Sequence, residues 1–158
     1  MASRADSKLP QTACAVGEAT DWKHIPHGGR KESAMSYDIR ITRKDGSPVE
    51  LRQRHVITGG TYALGGTKEA WLNVTYNYGG IFRRLLGEEG IRTIYGMDIK
   101  CARPILVDAA TRLGDVAPDT DYWKSCDGNA RKALLDLVEL SDLAISDYPN
   151  EEMFWDGD

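Results

Sequence analysis

The hydrophobic period of this chain lengthens from two to about 3.6 partway along, and that switch limits the folds open to it. Over Ser36–Thr42, Tyr37, Ile39 and Ile41 alternate with polar residues, which predicts a half-buried strand. Asp45-Gly46 supplies turn chemistry, and Val49 and Leu51 alternate on the way back, so a β-hairpin is expected. A longer alternation runs from Ala70 to Tyr78: Leu72, Val74, Tyr76 and Tyr78 share one face, and Trp71, Asn73, Thr75 and Asn77 the other. Beyond Gly79-Gly80 the spacing becomes helical. Ile81–Leu86 predicts a short helix carrying Arg83 and Arg84 and ending near Gly87 or Gly90. Ile91 and Ile94 then pack an irregular turn around Arg92. Ile105, Leu106, Ala109, Ala110 and Leu113 stripe a helix over about Pro104–Leu113, with the proline in its first turn and Gly114 as its stop. Ala130, Ala133, Leu134, Leu137, Val138 and Leu140 stripe a longer one, capped by Asp127 and running to about Leu143. The predicted class is α+β, a small antiparallel β-sheet in the N-terminal half packed with about three α-helices in the C-terminal half.

Residues 1–34 hold few large apolar side chains and are broken by Pro10, Pro26 and Gly28-Gly29, so they read as a flexible arm before a single α+β domain at 35–158. His24 and His27 sit three apart in that arm, but Pro26 between them disfavours the helix that would join them on a metal. At 41% hydrophobic and 28% charged, the 158 residues can bury one core. No apolar run approaches the roughly 18 residues of a membrane span, and the first residues lack the apolar segment of a secretory signal. Cys14, Cys101 and Cys126 are odd in number and form no CxxC, which favours a reducing cytoplasm. Net charge is +1 over residues 1–34, +3 over 35–100 and −8 over 101–158. A total of −4 disfavours a binder of long nucleic acid held by phosphate contacts. A basic middle suits a small anionic ligand, and the acidic end reads either as complementary to a basic partner or as a solvated face and tail. Within that tail, Tyr148, Phe154 and Trp155 favour docking, while the closing Trp155–Asp158 is expected to be an exposed terminus.

HExxH, GxSxG, CxxC and P-loop patterns are all missing, so no catalytic set, metal or cofactor is expected. Gly59–Thr67 is neither a Walker A loop nor a dinucleotide fingerprint; it reads as a glycine-enabled hairpin or bulge, or as backbone that lets a ligand approach closely. Trp71, Asn73, Thr75 and Asn77 combine an aromatic platform with amides and hydroxyls, the groups that hold a nucleobase. Cross-strand pairing or a subunit interface uses the same residue types, which leaves a homo-oligomer open. Arg92, flanked by apolar residues, reads as a structural ion pair or as an anion clamp.

Several separated blocks also carry a resemblance: Gly59–Thr67, Leu72–Tyr78, Gly90–Gly96, Tyr122-Trp123, Gly128-Asn129-Ala130 and Trp155–Asp158. In that order they resemble an uncharacterised family of small bacteriophage and prophage proteins, over roughly Met35 to the C-terminus. The resemblance implies a phage accessory protein made in the host bacterial cytoplasm. Accessory proteins of this kind often counter host defence, and one class sequesters nucleotide immune signals. The expected function is therefore a sponge for a cyclic or ADP-ribose-type nucleotide. Tyr62, Trp71, Tyr76, Tyr78 or Tyr95 would stack the base, with Tyr76 and Tyr78 serving only if the core-side face lines the pocket. Asn73 and Asn77 would read its edge, and Arg83, Arg84 and Arg92 would pair its phosphates. The alternatives are an enzyme cleaving such a nucleotide through His55 and carboxylates, and a protein-binding inhibitor acting through the acidic C-terminal third.

Overall fold

The computed structural model describes residues 36–57 and 65–158. The expected arm with its two histidines, and the glycine-rich segment from Gly59 through Tyr62 to Leu64, lie outside the described residues.

The alternation of Tyr37, Ile39 and Ile41 forms the central strand of the main sheet, β1 (Ser36–Arg43). Its first half pairs antiparallel with β4 (Trp71–Thr75), and its second half with β5 (Met153–Gly157). Register sets Tyr37 beside Val74, Ile39 beside Leu72 and Ile41 beside Trp155, all buried on one face. The opposite face is polar and cross-linked: Asn73 donates to Asp38 at 2.7 Å, and Arg40 pairs Asp156 at 3.2 Å.

The expected hairpin forms only at its turn. Gly46 adopts φ +81°, Arg43 N–H donates to the Ser47 carbonyl at 2.8 Å, and Val49 N–H reaches the Ile41 carbonyl. The chain then leaves, because Ala70 at the foot of β4 takes the Ile41 N–H and donates to Val49, while β5 holds the other edge of β1. The return strand β2 (Glu50–His55) instead pairs with β3 (Thr67–Glu69) in a separate two-stranded sheet. The closing residues, expected to be an exposed terminus, are strand β5; burial of Met153 and Trp155 against β1 outweighs the polar character of the segment.

Three helices cover the inner face. The first, α1 (Gly79–Leu86), buries Ile81 and Phe82 and ends at Gly87, whose φ of +98° only glycine adopts freely. A 3-10 turn at Gly90–Ile94 buries Ile91 and Ile94 as expected. The second helix, α2 (Ile99–Arg112), starts five residues before the predicted Pro104, because the Asp98 carboxylate caps it by accepting from Lys100 N–H at 2.8 Å. Pro104 thus lies inside the helix. The third, α3 (Asp127–Asp147), buries the predicted stripe; Cys126 is its cap and Asp127 sits one position in. Among the described residues no helix is long and apolar enough to cross a membrane, and no three His, Cys, Asp or Glu side chains are placed to hold a metal.

The acidic loop between α2 and α3 is fixed at three points. Asn129 is buried and clips it, accepting from Asp119 N–H and donating to the carbonyls of Asp121 and Lys124, each at 2.9 Å. Gly128 lets it touch the helix, since a Cβ there would lie 2.0 Å from the Ala117 carbonyl oxygen. The Tyr122 hydroxyl completes the free edge of β4, accepting from Thr75 N–H and donating to the Asn73 carbonyl, both at 3.2 Å.

Gly128→Ala is expected to cost at least about 1–3 kcal/mol of stability, because rigid backbone must move to admit the methyl group. Urea denaturation checks this; an unchanged midpoint would show that the loop is not seated on α3. Tyr122→Phe keeps the ring and strands two backbone groups, with an expected loss of about 1–3 kcal/mol in the same measurement.

Candidate functional site

Of the residues singled out in the sequence, some converge and others disperse. The expected strand to Tyr78 stops at Thr75, whose hydroxyl accepts from Asn77 N–H at 3.2 Å and turns Tyr76–Tyr78 into a 3-10 helix. The alternation of faces is therefore lost there. Thr75 is buried rather than outward-facing. Tyr78 is buried in the core, edge-on to Phe82 and Tyr122, with its hydroxyl donating to the Tyr122 carbonyl. Burial pushes its pKa well above the ordinary tyrosine value, and it is not an open stacking platform. Asn77 is committed to the Trp123 carbonyl at 2.7 Å. Arg84 pairs Asp127 in the first turn of α3 at 2.7 Å. Trp71 is half-buried on the polar sheet face beside Arg40. Asn73 is held by Ser36 and Asp38, the cross-strand alternative.

Four of the predicted residues gather around one that the alternation marked as core. Tyr37, at the start of β1, meets Tyr76 edge-to-face, with ring centroids 4.4 Å apart. The Arg92 guanidinium stands over the Tyr37 ring at 5.4 Å, a cation–π contact. Arg83 comes from α1. A Cβ on Gly79 would lie 2.9 Å from the Tyr37 hydroxyl and 3.5 Å from Arg83 Nη1, so both groups border the bare glycine. Tyr95 closes the other flank, packed so tightly on Gly157 that a Cβ there would lie 2.5 Å from its hydroxyl.

The strand β5 supplies the last component. Asp158 accepts from Arg92 Nε through its main-chain oxygen at 3.1 Å, and from Asp38 N–H through its carboxylate at 2.9 Å. Arg92 is thus engaged at Asp158, whereas Arg83 has neither a hydrogen bond nor an ion pair among the described residues. Both side chains are exposed. The Tyr95 hydroxyl is buried and, among the described residues, unpartnered. Burial raises its pKa, with Asp158 adding to the rise and Arg92 opposing it. Tyr76 is raised for the same leading reason. At neutral pH the phenols are therefore neutral donors. The arrangement can hold an anion between two guanidinium groups and offer aromatic surface beside it.

His55 plays no part in this cluster. One ring nitrogen lies 2.6 Å from the Glu69 carbonyl and the other accepts from Ile57 N–H, which assigns the proton to Nε2 and leaves neither nitrogen for acid–base work. Sequence reasoning missed Tyr37 and Asp158 as site residues. The alternation correctly buried Tyr37 but said nothing of its hydroxyl end, and nothing local indicated that Asp158 returns to β1. No protein-family model, no curated protein and no solved structure matches the chain.

Proposed function

We propose that the Tyr37 cluster binds a small anionic ligand of the nucleotide class, and that the protein acts by sequestering it. The observation that carries this reading is the approach of Arg83 and Arg92 to one buried tyrosine, with Arg83 free of any hydrogen bond or ion pair among the described residues. An anion there would displace water from two forked donors, and the exposed side of Tyr76 would meet the ligand's ring. In a phage context the ligand would be a nucleotide immune signal, of cyclic or ADP-ribose type, captured in the host cytoplasm.

The test is a thermal-shift screen of cyclic dinucleotides and cyclic ADP-ribose isomers, followed by titration calorimetry on any that raise the melting temperature. Arg92→Ala and Arg83→Ala are each expected to weaken binding by about 2–4 kcal/mol, with little loss of stability because both side chains are exposed. Arg92→Lys should recover only part of the affinity, since an ammonium lacks the planar fork. Ligand released by heating should be chemically intact; an altered product would replace sequestration by catalysis. If no nucleotide shifts the melting temperature, the reading fails and the acidic C-terminal third becomes the surface to test against host proteins.

A further inference from the structure

We infer that the cavity between α3 and the acidic loop is a second, separate ligand site, built for a single-ring aromatic cation of the amidine class. The inference does not rest on the reading given above, because none of the Tyr37 cluster lines this cavity.

The cavity measures about 220 Å³. An apolar cavity of about 150 Å³ accepts benzene, so one ring with a small polar substituent fits. Its apolar wall comes from Tyr78, Pro118, Tyr122 and Ala133. Asn129 lies three and four residues before Lys132 and Ala133, and Asp136 four and three after them, which places all four on one face of α3 beneath the loop.

Asp136 sets the chemistry. Its side chain is only 14% exposed, yet its one partner among the described residues is Lys132 Nζ, at 2.9 and 2.7 Å from the two carboxylate oxygens. Lys132 itself is 58% exposed and reaches in from solvent. A largely covered carboxylate beside apolar walls, answered only by a surface ammonium, is incompletely compensated. Its raised pKa, caused first by burial, agrees with that geometry. An ionised carboxylate accepts about four hydrogen bonds. The lysine supplies one donor to each oxygen, which leaves acceptor capacity on a carboxylate that lines the cavity.

The neighbouring polar groups do not compete. The Asn129 amide is used up by the loop, and Asp119 is paired with Lys124 at 2.6 Å. Each lining carboxylate has one lysine, Asp119 with Lys124 and Asp136 with Lys132, so the preference for a cation rests on Asp136, the less exposed of the two. An amidinium presents two parallel N–H groups to a carboxylate, and its aryl ring would occupy the space between the two tyrosines and Ala133.

Benzamidine titrated into the full chain, followed by calorimetry and by NMR shifts of the Ala133 methyl group, tests the site. Benzoate serves as the anionic control. Benzamidine is expected to bind in preference to benzoate. Asp136→Asn should weaken it about tenfold or more, the loss of a charge-assisted pair. Lys132→Met, which removes the competing ammonium, should tighten binding a few-fold. Arg92→Ala should leave it unchanged. Preference for benzoate, benzamidine affinity indifferent to Asp136→Asn, or no binding to folded protein would each overturn the site. Should Asp136→Asn fail to fold, the lysine variant decides: unchanged or weaker benzamidine binding in Lys132→Met would overturn the assignment.

Discussion

The pairing of β1 with a strand more than a hundred residues away is the constraint on which the rest depends. A central strand needs both edges satisfied, and here β4 takes one and β5 the other. Ile41 is the crossing point, bonded to Ala70 on one side and set beside Trp155 on the other. The sheet is complete only when residues from both ends of the folded region have met. Such long-range closure is slow compared with helix formation, so the helices have time to form before the sheet closes. The same closure carries Gly157 and Asp158 to Tyr95, Asp38 and Arg92. The cluster around Tyr37 therefore exists only in the fully closed fold.

How much of this was legible depended on whether the deciding interaction was local. Tyr37, Ile39, Ile41, Leu72 and Val74 obey a period of two because one face of a sheet is dry, and their burial could be read directly. The stripe from Ala130 to Leu140 obeyed the helical period for the same reason. The alternation misled at Thr75, expected to face outward but buried, where a single hydroxyl cap converts strand into 3-10 turn; Tyr78 is still buried, as its place on the core-side face implied. A cap also misplaced the start of α2, since Asp98 rather than Pro104 defines it. The pairing of β1 with β5, in place of a full hairpin with β2, had no local signature at all. Arg84 and Arg83 are neighbours in sequence, yet one is bound to Asp127 and the other faces Tyr37. Only the third dimension separates them.

The two candidate sites illustrate opposite uses of charge. Around Tyr37, the exposed guanidinium of Arg92 stands over an aromatic ring, a geometry in which a weakly hydrated cation keeps its donors available. Beneath the acidic loop, a carboxylate is drawn out of water and answered from outside by lysine. Tyr78 lies between these regions, contacting Phe82 under the first and lining the cavity of the second. The mildly basic middle of the chain and its acidic end thus correspond to distinct places in the fold, and the overall charge of −4 conceals both.

The hydroxyl of Tyr122 has a consequence for how the molecule behaves in a crowd. An exposed strand edge is a template, and any extended chain can add to it, which is how soluble proteins polymerise. One oxygen atom here takes the place of that incoming strand, engaging both the N–H of Thr75 and the carbonyl of Asn73. Because it is carried on a clipped loop and not on a strand, it blocks further addition without offering a new edge of its own. The loop is in this sense a gatekeeper against self-association as well as the roof of a cavity.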